Sequence, residues 1–464
     1  MHSNGHGHAL APLPTVSEFT NDIVGRHAQT GPRYKRALTL LGFLFALGVV
    51  GFIARAVTDG FDERRPWGYF AATAAFLLTT AGTAPIIVIG LRAIKAHWRR
   101  PLVRLGELYG LVTVLILAMF VVLLFLIPSA VDRRTMYFQS SGAGLPGTVG
   151  RIFGAPHIYD LTLLTALVCA AIGLFWASTR GDKALLAGRG GKAVGKWWGT
   201  TKQWRVTTVG LGLIGAVFFV TVVGFISLFS IDMAMALVPG WRDAIFPAFQ
   251  VITGLQGGLA TLIVSAYVLR RFGHFEKYIH MDHFWAASKP LLAFCLLWFY
   301  FGWSTFIIYW YGRQPAEQSV MQMLYFGPYE FFFYAAFLLC FVVPFFTLIW
   351  NGVRKSCGGP ALAASFILIG NLCDKIRLYA GSWSVPNNLI KDHALARSDV
   401  PLVNYPDVFD VMIVVGGIAG ALFIVLWMAR RVPIVSLWEV SEGIRLRVVR
   451  PFLRTRLTVL GKPE

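Results

Sequence analysis

The chain has 464 residues, of which 56% are hydrophobic and only 14% charged, and its mean hydropathy is +0.62. A soluble domain this apolar has too little polar surface to cover itself, so the composition excludes one and points to a membrane. The net charge of +19 is not the footprint of nucleic acid, because no zinc-finger spacing or aromatic-basic RNA motif accompanies it.

In chain order, residues 1–36 have no apolar h-region and are expected to be a flexible cytoplasmic tail rather than a signal peptide. "MHSNGHGH" offers His2, His6 and His8 as a weak metal site at most. A spanning helix needs about 20 mostly apolar residues. Ten stretches qualify: 37–57, 67–91, 106–127, 158–179, 206–230, 244–269, 289–311, 327–350, 360–380 and 408–430. Most of the 42 Lys and Arg residues fall on the side of both termini, in loops such as "LRAIKAHWRRPLVR" (91–104) and "TRGDKALLAGRGGKAVGKWWGTTKQWR" (179–205). The positive-inside rule then makes both termini cytoplasmic, in agreement with an even helix count. Residues 431–464 mix Arg with Leu, Val, Trp and Phe, as a basic segment on anionic lipid would, with Pro451 interrupting it. The expected fold class is all-α, a polytopic membrane protein of about ten transmembrane helices over 37–430.

Several chemistries are not encoded. Cys169, Cys295, Cys340, Cys357 and Cys373 stand alone, so neither an iron–sulfur cluster nor a CxxCH haem attachment is expected on this chain. The ten histidines lie in tails, loops and helix ends, which leaves no axial pair for a haem inside the membrane. No Walker loop is present, and no metal site is expected beyond the weak N-terminal one.

The informative residues are the ionisable ones near the apolar runs, because a charge at the bilayer centre costs at least about 2.5–3.5 kcal/mol. Glu107 opens the third stretch. His157, Tyr159 and Asp160 open the fourth, with His157 and Asp160 on one face at i, i+3. Asp232 closes the fifth, Gln250 and Gln256 lie in the sixth, Asp282 and His283 precede the seventh, and Glu330 opens the eighth. An interfacial charge held in water is the plainer reading for Asp232, Glu330, Arg397 and Asp407. In the ninth stretch, "ILIGNLCDKIRLYAG" (367–381), Asp374 lies about 15 residues, or roughly 22 Å, along the helix. Asn371, Asp374 and Lys375 share a side, and Asp374 is an i, i+3 neighbour of Arg377. This face is expected to point into the bundle, as a structural charge pair or as part of a proton relay.

Six stretches together resemble the polysulfide-reductase (NrfD-like) integral membrane subunits, in the ten-helix form of the quinol-oxidising alternative complex III. They are "RRPLVRLGELYGL" (99–111), "HIYDLTLLTALVCAAIGLFW" (157–176), "SIDMAMALVPGWRDAIFP" (230–247), "KYIHMDHFWAASKPLLAF" (277–294), "FGPYEFFFYAAFLLCFVVPFF" (326–346) and "GNLCDKIRLYAG" (370–381). The resemblance implies two four-helix bundles plus two flanking helices in a bacterial inner membrane. It implies quinone or quinol (menaquinone or ubiquinone) as substrate, with no haem or iron–sulfur cluster on this chain. The implied partners are an iron–sulfur subunit on the periplasmic face, a c-type cytochrome subunit, a second NrfD-like membrane subunit and lipids. In this family Glu107, Asp160, Asp232, Trp241, Asp282 and Arg377 stand at the positions of motif residues.

Asp160, His157 and Asp374 are the candidate catalytic residues, and Tyr159, Asp232, Trp241 and Arg377 the candidate quinol-binding ones. Glu107, Asp160, Asp282, His283 and Asp374 form the expected proton pathway. One departure stands out: where quinone-reactive members carry His-Leu-Gly-Arg-Pro, this chain reads "VLLFLIPSAVD" (122–132). Either His157 substitutes, or the chain is a quinone-inactive copy serving proton movement or assembly. Two further readings stay open, a proton-coupled secondary transporter and a structural anchor. Under the first reading the chain is a subunit of an oxidoreductase and not an enzyme alone.

Overall fold

The computed structural model describes residues 15–28, 31–128, 157–187, 199–390, 392–452 and 455–460. Its main helices are α1 (Val16–Ala28), α2 (Pro32–Thr58), α3 (Arg65–Ala93), α4 (Val103–Leu126), α5 (His157–Ala187) and α6 (Thr201–Met233). They continue as α7 (Phe246–Phe272), α8 (Met281–Gly312), the short α9 (Pro315–Met321), α10 (Glu330–Leu348), α11 (Gly358–Lys375), α12 (Val408–Ala429) and α13 (Leu437–Arg445). Among the described residues, nine helices are long and apolar enough to cross a membrane, which makes the chain an all-α, polytopic membrane protein. The ninth expected stretch is α11. It runs on through a π-helical turn (Ile376–Ala380) into Gly381–Trp383, so its length suffices, but three charges lower its apolar character.

The helices α3 to α6 pack as one bundle and α7, α8, α10 and α11 as a second, joined where α7 lies against α3 and α6. The remaining two, α2 and α12, pair with each other and flank α3. Their crossing is close because two glycines meet: a Cβ on Gly416 would lie 2.3 Å from Gly48 Cα. At the junction of the bundles, a Cβ on Gly257 would lie 2.3 Å from the Thr79 carbonyl. Small residues at both places let backbones approach as membrane helices require.

The face that carries α1 and α13, called the near face below, is more ordered than the composition suggests. Residues 16–28, inside the stretch expected as a flexible tail, form α1. Its buried Phe19 and Ile23 pack with Tyr278, Val435 and Leu437. The Tyr278 hydroxyl donates to Asp22 Oδ2 at 2.6 Å. The basic C-terminal stretch is likewise a docked helix, α13, followed by an antiparallel hairpin of β1 (Arg447–Phe452) and β2 (Thr455–Leu460), with Pro451 opposite Arg456. His2, His6, His8 and the 129–132 end of "VLLFLIPSAVD" lie outside the described residues.

Candidate functional site

The charges of α11 are buried, as their position on the helix predicts. Asp374 and Lys375 are fully buried and Arg377 nearly so. Arg377 Nη2 donates to Asp374 Oδ1 at 2.6 Å, and Lys375 Nζ stands 3.5 Å from Asp374 Oδ2. One carboxylate therefore lies between two cations, and the low-dielectric surroundings make this compensation necessary. Lys375 also donates to Gln250 Oε1 on α7. One turn earlier on α11, Asn371 accepts from Thr79 Oγ1 at 3.3 Å. Three helices, α11, α7 and α3, thus meet through polar contacts at this point, at the level where the bundles join.

The local backbone explains why the residues sit here. Three π-helical turns, Gln322–Phe326, Leu338–Val342 and Ile376–Ala380, surround the cluster. A π turn leaves carbonyls without their usual helical partner, and polar side chains supply one. Arg377 Nη1 donates to the Leu324 carbonyl at 3.1 Å and Gln256 Nε2 to the Cys340 carbonyl at 2.8 Å. The Arg377 guanidinium also lies 5.4 Å from the ring centroids of both Tyr325 and Phe333, a cation–π arrangement.

Beyond Arg377, toward the face opposite α1 and α13 (the far face), the structure holds a cavity of about 20 Å³. It is lined by Trp241, Asp243, Phe246, Phe249, Gly302, Thr305, Tyr309, Leu324, Tyr325, Arg377 and Leu378. The volume admits a water molecule. Trp241 Nε1, Thr305 Oγ1, Tyr309 Oη and Arg377 Nε are buried on this cavity, with Thr305 facing the Asp243 carboxylate and Trp241 facing the Tyr309 hydroxyl. Such donors, clustered on one cavity, are the partners that an ordered water or a ligand oxygen needs. Asp243 supplies the acceptor. Its Oδ1 also accepts from the backbone N–H groups of Ile245 (2.8 Å) and Phe246 (3.1 Å), which caps the start of α7. Burial pushes the Asp243 carboxyl above its ordinary range, against the pull of these two donors.

The other expected site residues divide. Trp241 and Arg377 line the cavity with Asp243. His157, Asp160 and Asp232 are all buried in the first bundle. The antiparallel helices α5 and α6 hold them toward the far face, with Leu163 against Gly224. Tyr159 is instead 54% exposed on the bundle surface. Asp282 is exposed at the near-face start of α8. His283 is buried, where its Nδ1 and the backbone N–H of His280 lie 3.0 Å apart. Neither joins the Asp374 cluster. Glu330 is exposed, in keeping with an interfacial charge.

Glu107 belongs to a separate ionic network on the near face. Its two oxygens meet Arg92 Nη2 (3.0 Å) and Arg104 Nη1 (2.8 Å). Arg104 continues to Asp182 at 2.7 Å, and Arg92 continues to Glu439 of α13 at 2.7 Å. These charge-assisted contacts tie α3, α4, α5 and α13 together. Sequence reasoning missed this network and missed Asp243. Asp243 reads as an ordinary turn residue in "VPGWRDAIFP", and only the fold brings it to Arg377. Among the described residues, no cluster of His, Cys, Asp and Glu could hold a metal ion. No family model matches the chain, and no curated protein matches it.

Proposed function

We propose that this integral membrane chain is the membrane subunit of a bacterial quinol-oxidising electron-transfer complex of the alternative complex III type, in the inner membrane with cytoplasmic termini. The observation that carries the reading is the polar cavity at Trp241, Asp243, Thr305 and Tyr309, which adjoins the buried Arg377–Asp374–Lys375 cluster. Buried ionisable groups inside a helical bundle are costly and mark proton or substrate paths. In this reading quinol approaches laterally past the exposed Tyr159 toward His157, Asp160 and Asp232 in the first bundle. Oxidation of one quinol releases two electrons and two protons. The electrons pass to an iron–sulfur subunit docked on the far face and on to a c-type cytochrome, beside a second membrane subunit of the same kind.

In this proposal the residues of the chain handle protons and leave the redox change to quinol and the partner clusters. Asp160 accepts a proton near the ring, and Asp374 and Asp243 form a relay through the second bundle. The cavity's water-sized volume supports a proton route at Arg377, since a quinol ring would have to displace Phe246 or Phe249. A proton-coupled transporter is the second reading, favoured by the π turn that directly follows Asp374 and Lys375, because carriers place sites at interrupted helices.

Quinol-driven electron flow and proton release, measured in native membranes for Asp160→Asn and Asp374→Asn, test the proposal. Both rates fall while the subunits stay assembled. Wild-type turnover and proton release in both variants would remove the assigned roles.

A further inference from the structure

We propose that the near face carries a binding site for the phosphate of an anionic phospholipid, formed by Lys289, Arg354 and Lys355 around Trp285. Lys289 lies one helical turn after Trp285 on α8, so the two share a face. Its Nζ sits 3.9 Å from the indole centroid. Lys355 follows the turn after α10 and brings its own Nζ to 5.6 Å from the same ring. Two ammonium groups converge on one indole, and Arg354, the residue before Lys355, has its Nε buried and without a hydrogen bond among the described residues.

Part of the positive charge on this face is matched. Arg92, Arg99, Arg100 and Arg104 meet Glu107, Asp182, Glu439 and Glu442, and Arg26 meets Asp22. Lys289, Arg354 and Lys355 have no carboxylate partner among the described residues. An indole face offsets only part of one cation's charge, so the trio presents an uncompensated positive site. A phosphodiester is the complementary group.

The surroundings select a lipid over a soluble anion. Beside the site, the end of α10 and the turn after it expose Phe346, Ile349 and Trp350, and the next turns of α8 expose Leu296 and Leu297. Aromatic residues at this level are where spanning helices meet the headgroup region. The apolar surface beyond them runs along the helices as acyl chains would. Basic pockets between transmembrane helices recognise anionic headgroups by this combination.

Native mass spectrometry of the full chain in detergent, titrated with phosphatidylglycerol or phosphatidylcholine, tests the site. Phosphatidylglycerol binds preferentially to the wild type. Lys289→Ala/Lys355→Ala together lower its affinity about 30-fold, the effect of two interfacial cations. Lys289→Arg retains binding, and matched melting temperatures establish that the variants are folded. Equal binding of the two lipids, or undiminished phosphatidylglycerol binding by the double variant, overturns the proposal. Displacement of the lipid by millimolar inorganic phosphate overturns it too, by assigning the site to a soluble anion.

Discussion

Glu439 gives the sharpest energetic test of how the near face is held. It comes from α13, is fully buried, and lies 2.7 Å from Arg92 Nη2 and 3.4 Å from Arg99 Nη2. Glu439→Leu keeps the apolar bulk and leaves both guanidiniums without this partner. Removing one member of a buried ion pair costs about 3–5 kcal/mol. Glu442, one turn on, pairs with Arg100 at 3.2 Å but is 39% exposed at its side chain, so Glu442→Ala should cost under about 1 kcal/mol. The backbone of Trp438 ties the same helix down by donating to Asp182 Oδ1 at 3.0 Å, so the loss appears as local undocking. Hydrogen exchange of 437–445 in micelles reads it directly. Glu439→Leu should accelerate exchange by about 150- to 5,000-fold and Glu442→Ala by less than about tenfold. Equal, small effects in the two variants would refute the argument that burial sets the strength of this lock.

Three further outcomes follow from the packing and charge. Asp374→Asn leaves Lys375 and Arg377 buried around a neutral amide, and it should lower the melting temperature more than Asp282→Asn at the exposed start of α8; equal melting temperatures would contradict the burial argument. Asp243→Asn should melt above the wild type at pH 8, because burial disfavours the ionised carboxyl. Since the folded-state value is raised, that penalty is fully present at high pH and is relieved as pH falls through it, so the gap should close toward about pH 4; a gap that widens on acidification would reverse the sign of the reasoning. Gly416→Val should separate α2 from α12 and cost about 1–3 kcal/mol by overpacking; a melt indistinguishable from the wild type would show that the crossing tolerates side chains.

The fold was legible where the signal is local. Ten apolar stretches and the loop charges give the helix count, since bilayer thickness fixes helix length whatever the neighbours do. The inward face of α11 was legible for the same reason: Asp374 and Arg377 sit too deep to face lipid. What depends on distant partners was not. Glu107 finds Arg92 fifteen residues away, but Glu439 joins them from the far end of the chain, and no periodicity announces that contact. The ordering of α1 was hidden because Phe19 and Ile23 bury themselves only against Tyr278 and Val435. The cavity shows the same limit, since Trp241, Thr305 and Arg377 come from three separate segments. Tyr159 and Asp160 are neighbours in sequence, yet one is exposed and the other buried.

The most direct test of the central claim is purification of the complex from native membranes in mild detergent, with mass spectrometry of the co-purifying chains and assays for iron and haem. The account predicts an iron–sulfur protein and a c-type cytochrome beside this chain, with the redox groups on those neighbours. A lone polypeptide free of iron and haem, under conditions that keep known respiratory complexes intact, would contradict it and favour transport.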